Sequence, residues 1–181
     1  MLKPRIIPLL LIDNDELIKT VGFTNPKYVG DPINAVRIFN EKQVDEIVIL
    51  DIGATRDGKK PNYKLIKAIA QECRMPLCIG GGVNSVNQIE DIISFGVEKV
   101  AISSSFIKEP SIIEEGANRV GSQSIVVVLD VKRHILLNKY SVYINNGNIN
   151  TKMSPIDLAI KAQNLGAGEI IINSISREVS L

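Results

Sequence analysis

The chain reads as an α/β protein built on parallel strands, and three observations carry that reading. Short runs rich in Ile and Val recur along its whole length, and segments of helical periodicity alternate with them. The composition is that of a globular domain, with 45% hydrophobic and 23% charged residues. Runs that are apolar at consecutive positions are strands buried on both faces, the habit of parallel sheets covered by helices. Strict alternation of such strands with amphipathic helices means right-handed crossovers, and so either a closed barrel or an open doubly wound sheet; the pattern fits both.

Six runs qualify as strands: residues 5–12 (RIIPLLLI), 46–51 (EIVILD), 76–79 (PLCI), 99–103 (KVAIS), 124–130 (SIVVVLD) and 169–173 (EIIIN). Between them the apolar spacing predicts helices over 32–41, 63–72, 86–95, 111–119 and 155–164. Asp31 before Pro32 and Ser154 before Pro155 each place a capping oxygen ahead of a proline at the first helical position. Two segments break the rhythm. Residues 14–30 are long for a strand-to-helix loop, and residues 133–150 alternate through YSVYI toward a turn at Asn146 and Gly147, as a hairpin would. Both follow the C-terminal ends of strands, where α/β proteins build their sites. The fifth strand, SIVVVLDV, echoes the first, RIIPLLLID, with an insertion behind each, a weak internal repeat of two related halves.

Charge is balanced, 21 Lys and Arg against 20 Asp and Glu for a net +1, which argues against nucleic-acid binding by bulk charge. The longest apolar stretch, residues 6–12, falls far short of the roughly 20 needed to span a bilayer and ends at Asp13 with no small-residue cleavage site. A cytoplasmic protein with no membrane contact is the expectation. Cys73 and Cys78 have no neighbouring His or Cys pairs, so they read as buried thiols, and neither a metal site nor a cofactor is expected.

Three places carry chemistry. Gly80, Gly81 and Gly82 directly follow a strand, so backbone N–H groups can converge on an anion with no side chain in the way, as a phosphate requires; the alternative is a plain tight turn. Ser103, Ser104 and Ser105 after the next strand add hydroxyl donors and the N–H groups of a helical turn on the same side, or are simply solvated. Asp130 ends a run of apolar residues where a carboxylate would stand at a barrel mouth, a place for acid and base work; a turn-capping aspartate is the plainer reading. His134 reads as a surface residue, and Tyr140 and Tyr143 as cross-strand pairs of the hairpin.

Taken in order, RIIPLLLID, LDIGAT after the second strand, IGGGVNS after the third, KVAISSS at the fourth, GSQSIVVVLDVKR at the fifth and GAGEIIINSI at the sixth resemble one family across nearly the whole chain, the cyclase subunit of imidazole glycerol phosphate synthase. The resemblance implies a (β/α)8 TIM barrel. It also implies a partner glutamine amidotransferase, which sends ammonia through the barrel's interior. At the top face an imidazole ring is closed on a phosphorylated, ribulosyl nucleotide-like precursor of histidine. By the same resemblance Asp130 is the second of two catalytic aspartates, and Ser103 and Ser104, at an Asn-Thr pair of the family, are phosphate contacts beside the glycine run. Asp51 and Lys19 match substrate-contacting positions, although Lys19 also reads as a solvated loop lysine. Arg5, Glu46, Lys99 and Glu169 match a ring that admits ammonia, and Glu98 an acidic residue facing the glutaminase. Two acids and two bases buried together are costly unless they pair, so the ring has a structural reading as well as a functional one.

The sequence also departs from the family. The first catalytic aspartate falls on Leu11, which has no proton to give. Asp13 lies two residues on, on the same side of the strand but roughly 6 to 7 Å further out, and is the weaker catalytic candidate. Leu11, with residues 20–42 (TVGFTNPKYVGDPINAVRIFNEK), is more similar to a sub-branch tied to bacterial surface polysaccharides. There the barrel works with a glutamine amidotransferase and a third protein to turn an acetamido sugar into an acetamidino sugar. After the sixth strand the family's Asp-Arg-Asp-Gly run reads Ser176, Arg177, Glu178, Val179, and the chain holds about five and a half of a barrel's eight units. The structural expectation is a single truncated barrel domain over residues 1–181, with strand edges and interior apolar surface exposed. Three functions compete: a cyclase subunit of histidine biosynthesis, with little cyclase activity expected of a chain carrying Leu11; an ammonia-channelling barrel for sugar amidination; and a non-catalytic remnant that docks the glutaminase.

Overall fold

The protein is described by a computed structural model covering residues 4–134 and 139–175. In chain order the elements are β1 (Leu9–Asp13), β2 (Glu16–Val21), β3 (Thr24–Gly30), α1 (Pro32–Lys42), β4 (Ile47–Asp51), α2 (Ile52–Asp57), α3 (Tyr63–Glu72), β5 (Leu77–Gly80) and α4 (Val86–Ser94). There follow β6 (Lys99–Ile102), α5 (Ser104–Lys108), α6 (Ser111–Val120), β7 (Ile125–His134), β8 (Lys139–Ile144), β9 (Ile149–Asn150), α7 (Pro155–Asn164) and β10 (Glu169–Ser174). Asp31 and Ser154 cap α1 and α7 as their Asp-Pro and Ser-Pro pairs require, accepting from the N–H groups of Asn34 at 2.8 Å and Asp157 at 3.4 Å.

Among the described residues the sheet holds ten strands where the apolar runs marked six. Those six run parallel in the order β1-β4-β5-β6-β7-β10, so the α/β reading stands; among the described residues no pairing joins β1 to β10. The other four are antiparallel insertions. β1 turns into β2 through Asn14 and Asp15, whose φ values of 51° and 65° are those of a type I′ hairpin, and β2 pairs on with β3. β3 leaves no trace in the sequence for a physical reason: TNPKYVG contains a proline and is exposed almost throughout, so it shows neither an apolar face nor alternation. The alternating second insertion is the antiparallel extension of β7 with β8 and β9, the latter two joined through Asn145, Asn146 and Gly147, all at positive φ.

Side chains sort to the two faces of the sheet. Ile49, Ile79, Ile102, Val127 and Leu129 join a core with Val36, Ile69, Ile92 and Ile113 of the helices. Ile89 and Ile92, three apart on α4, are fully buried there, each worth about 1.5–3 kcal/mol of apolar burial. On the opposite face Val48, Cys78, Ala101, Val126 and Val128 form a second apolar layer to which no described helix contributes.

Candidate functional site

Four charged side chains meet at the N-terminal ends of the parallel strands. Arg5 precedes β1, Glu46 precedes β4, and Lys99 and Glu169 open β6 and β10. Arg5 donates to Glu46 Oε2 at 3.1 Å and to Glu169 Oε1 at 3.2 Å. Lys99 Nζ donates to both Glu46 oxygens at 3.0 and 2.9 Å and to Glu169 Oε1 at 2.8 Å. Each acid therefore meets both bases, and the contacts close into a ring, buried at Glu46 (2% exposed) and open at Arg5 (51%). Burial alone would lower Lys99 and raise Glu169, but the hydrogen bonds within the ring prevail: Lys99 sits above the ordinary lysine value and Glu169 below the ordinary carboxylate value. Glu98, exposed at the same end, accepts from the Leu77 N–H at 2.8 Å. Just inside the ring lies a cavity of about 130 Å³ between Glu46, Glu169 and the side chains of Val48, Cys78, Val126 and Ile171. Burial pushes the Cys78 thiol well above its ordinary value.

The same strand faces lead to a second pocket, of about 80 Å³, at the C-terminal ends. Stepping by two along each strand, Val48 gives way to Leu50, Val126 to Val128 and Asp130, and Ile171 to Asn173, so one pleated face runs from ring to pocket. Leu11, Asp51, Gly81, Ser103, Ser104 and Asp130 all line this pocket. Asn173 Nδ2 donates to Asp130 Oδ1 at 3.2 Å, and Ser104 Oγ accepts from the Asn145 N–H at 3.3 Å. Asp51 Oδ1 caps α2, accepting from Ala54 at 2.8 Å; burial raises its carboxyl above the ordinary value in spite of that bond, and nearby Asp15 and Asp13 push the same way. The glycine run is packed hard against α2. A Cβ on Gly81, at φ 111°, would collide with the Asp51 backbone, and one on Gly80 would lie 2.8 Å from Ala101 and Leu50. The Gly82 N–H donates to Thr55 Oγ1 at 3.3 Å, so of the three glycines Gly81 forms the pocket wall.

Two expected residues lie elsewhere. Asp13 is 9% exposed and accepts from Arg56 through both oxygens, at 2.8 and 3.0 Å, outside the pocket lining. Asp13 is thus an ion-pair partner that fastens α2 to β1, not a second acid at the pocket. Lys19 is exposed and also off the pocket wall, because the alternation of β2 turns its neighbour Thr20 inward instead.

A family model described as histidine biosynthesis protein matches residues 5–179. The chain belongs to the histidine biosynthesis protein family. It is 52% identical over 178 residues to a protein of Leptospira interrogans provisionally named imidazole glycerol phosphate synthase subunit HisF, a match that covers 98% of this chain and 70% of the relative. Imidazole glycerol phosphate synthase subunit HisF of Clostridium botulinum (strain Okra / Type B1) is 38% identical over the same shares, and that of Bacillus cereus (strain G9842) 39%.

In this member of the histidine biosynthesis family the pocket also uses Thr20, Phe23, Thr55, Asn146 and Asn173, which the sequence reading did not single out as site residues. Phe23 and Asn146 come from the two insertions. A Cβ on Gly147 would lie 3.2 Å from the Phe23 ring, and Asn146 Nδ2 donates to the Ile52 carbonyl at 3.1 Å, so the hairpin tips meet beside the pocket. The available signal was the repeat itself, an insertion behind both the first and the fifth parallel strand. The run Ser176, Arg177, Glu178, Val179 lies outside the described residues. Among the described residues no group of three or more His, Cys, Asp or Glu is arranged to hold a metal ion, and no helix is long and apolar enough to cross a membrane.

Proposed function

We propose that the chain is the ammonia-receiving subunit of a glutamine-dependent synthase of the imidazole glycerol phosphate synthase type. Ammonia released by a glutamine amidotransferase enters through the Arg5, Glu46, Lys99 and Glu169 ring, with Glu98 on the docking face. It then crosses the apolar face of Val48, Cys78, Val126 and Val128 and reaches a phosphorylated acceptor at the pocket. Asp130 moves protons there, oriented by Asn173, while Gly81, Ser103 and Ser104 offer contacts to the acceptor's phosphate and Asp51 holds the first turn of α2 in place. The observation that carries this reading is the continuity of one strand face from a closed ring of charges to Asp130. Names of the relatives support the cyclase assignment. The test is ammonium-dependent conversion of the ribulosyl nucleotide-like precursor: turnover that falls at least about 100-fold in Asp130→Asn is expected, and turnover indifferent to that substitution overturns the assignment of Asp130.

One observation favours a second acceptor. Leu11 lines the pocket and Asp13 is taken by Arg56, so β1 puts no carboxylate on a wall whose aspartates are Asp51, which caps α2, and Asp130. Amidination of an acetamido sugar, in which ammonia replaces a carbonyl oxygen and water leaves, is the acceptor chemistry that this arrangement suits. Conversion of such a sugar with no conversion of the ring-closing precursor selects it.

A further inference from the structure

The pocket at the C-terminal strand ends has a hydrogen-bonding polarity of its own. Asp51 and Asp130 stand on its wall, and among the described residues no lysine, arginine or histidine lines it. Arg56 follows the wall residue Thr55, but its guanidinium is spent on Asp13 and Asp57. Toward the ring the floor is apolar, formed by Leu50, Ala101 and Val128, so charges above it are weakly screened.

Both wall asparagines are turned the same way. Asn146 donates through Nδ2 to the Ile52 carbonyl at 3.1 Å, and Asn173 donates through Nδ2 to Asp130 Oδ1 at 3.2 Å. A carbonyl and an ionised carboxylate only accept, so neither amide can be reversed, and each keeps its oxygen as an acceptor. The hydroxyls of Thr55 and Ser104 accept from the Gly82 and Asn145 N–H groups. Carboxylates and amide oxygens thus set the polarity beside Asp130. A group that only accepts meets oxygens there, whereas a cation rich in N–H groups meets partners.

We infer that Asp130, with Asp51 and the two amide oxygens, holds an amidinium-type cation, the form an amide carbon takes once ammonia has replaced its oxygen. The new C–N bond is made by ammonia, and the oxygen leaves as water. One proton taken up leaves the carbon between two N–H-bearing nitrogens that share a positive charge. Such a group is planar, donates through a fork of N–H bonds and accepts none, so it matches a carboxylate as a guanidinium does, and charge-assisted bonds of this kind are the strong ones. The pocket therefore discriminates by charge, holding the amidinium more tightly than the neutral amide that precedes it. The inference rests on the amidination reading of the pocket, and it names the form of the acceptor that the wall recognises.

The test uses the full chain and acetamidinium chloride as probe, with the ring resonances of Phe23, a wall residue, as a reporter that needs no turnover. Acetamidinium is expected to move those resonances saturably. Acetamide, of the same shape but neutral and with an acceptor oxygen, should bind at least about tenfold more weakly. Asp130→Asn, which can still accept from Asn173, should weaken the acetamidinium response about tenfold or more. Asp51→Asn should weaken it as well while keeping the α2 cap, since Asn caps as Asp does. Glu41→Gln, at an exposed carboxylate of α1, should leave it unchanged. Unmoved Phe23 resonances, equal responses to acetamidinium and acetamide, an equal response to ammonium chloride, or aspartate variants that titrate like the parent each overturn the inference. Failure of the amidination reading is a separate result: an intact acetamidinium response in a chain that, supplied with ammonium, converts no acetamido sugar.

Discussion

Arg56 is 43% exposed, yet it satisfies both oxygens of a carboxylate that is nearly buried, so the pair is worth more to Asp13 than to itself. Removing the arginine leaves a desolvated charge without its partner, which for fully buried pairs costs about 3–5 kcal/mol; solvent screening at Arg56 lowers the figure to about 2 kcal/mol for Arg56→Met. Urea unfolding should show the loss as a lower midpoint at an unchanged slope. A midpoint that stays put would mean that α2 is held by its Asp51 cap alone. Cysteines offer a second test at this scale. Cys78 is fully buried with its thiol held in the neutral form, while Cys73 is half-buried, so a thiol reagent should modify Cys73 first and reach Cys78 only on unfolding. Equal rates for the two would show that the apolar face opens to solvent.

At the scale of elements, the β5 turn and the charged ring make opposite demands. Gly81 has no room for a Cβ and a φ that L residues avoid, so Gly81→Ala should destabilise by more than about 2 kcal/mol in the same unfolding measurement. The ring instead sets a pH window. Glu169 is depressed, so its stabilisation is present above the ordinary 4.5 and is lost as pH falls through its lowered value. Lys99 is raised, so its share is complete below 10.5 and is lost as pH rises through its raised value. The buried Cys78 thiol, raised from 9.0, adds an alkaline loss of its own that begins as pH passes that value. Thermal melts should therefore hold a plateau from 4.5 to 9.0, and Lys99→Met should make the decline above 10.5 shallower; a decline of unchanged steepness there in that variant would place its origin elsewhere. The parallel strands and long helices were legible because apolar runs and 3.6-residue spacing survive in any one sequence, although β10 is not buried on both faces as its run suggests. β3 was not, because an exposed strand with a proline has no apolar face to betray it, and α2 and α5 were not, because six and five residues are too few for a period.

Across the whole molecule, ring and pocket share one face because parallel strands present all their N-terminal ends to one side and all their C-terminal ends to the other. Arg5, Glu46, Lys99 and Glu169 could be found from the sequence because each heads an apolar run, although Arg5 and Glu46 lie ahead of β1 and β4 themselves. Asn173 and Thr20 could not, since both are strand residues and nothing local marks which strand residue faces the pocket. The outward sides of α7 and β10 leave Ile156, Ile160 and Ile172 between 52% and 69% exposed, a patch of the kind that drives association. Sedimentation should show mass rising with concentration, and Ile160→Lys with Ile172→Lys should suppress it; unchanged association in that variant would move the contact to another surface. The central claim is that nitrogen travels inside the molecule from a glutaminase partner to the pocket. It is tested most directly by supplying glutamine with a heavy-nitrogen-labelled amide against a bulk of unlabelled ammonium and measuring the label in the acceptor. Label that reaches the product undiluted is the predicted result, and label diluted to the bulk ratio would contradict it.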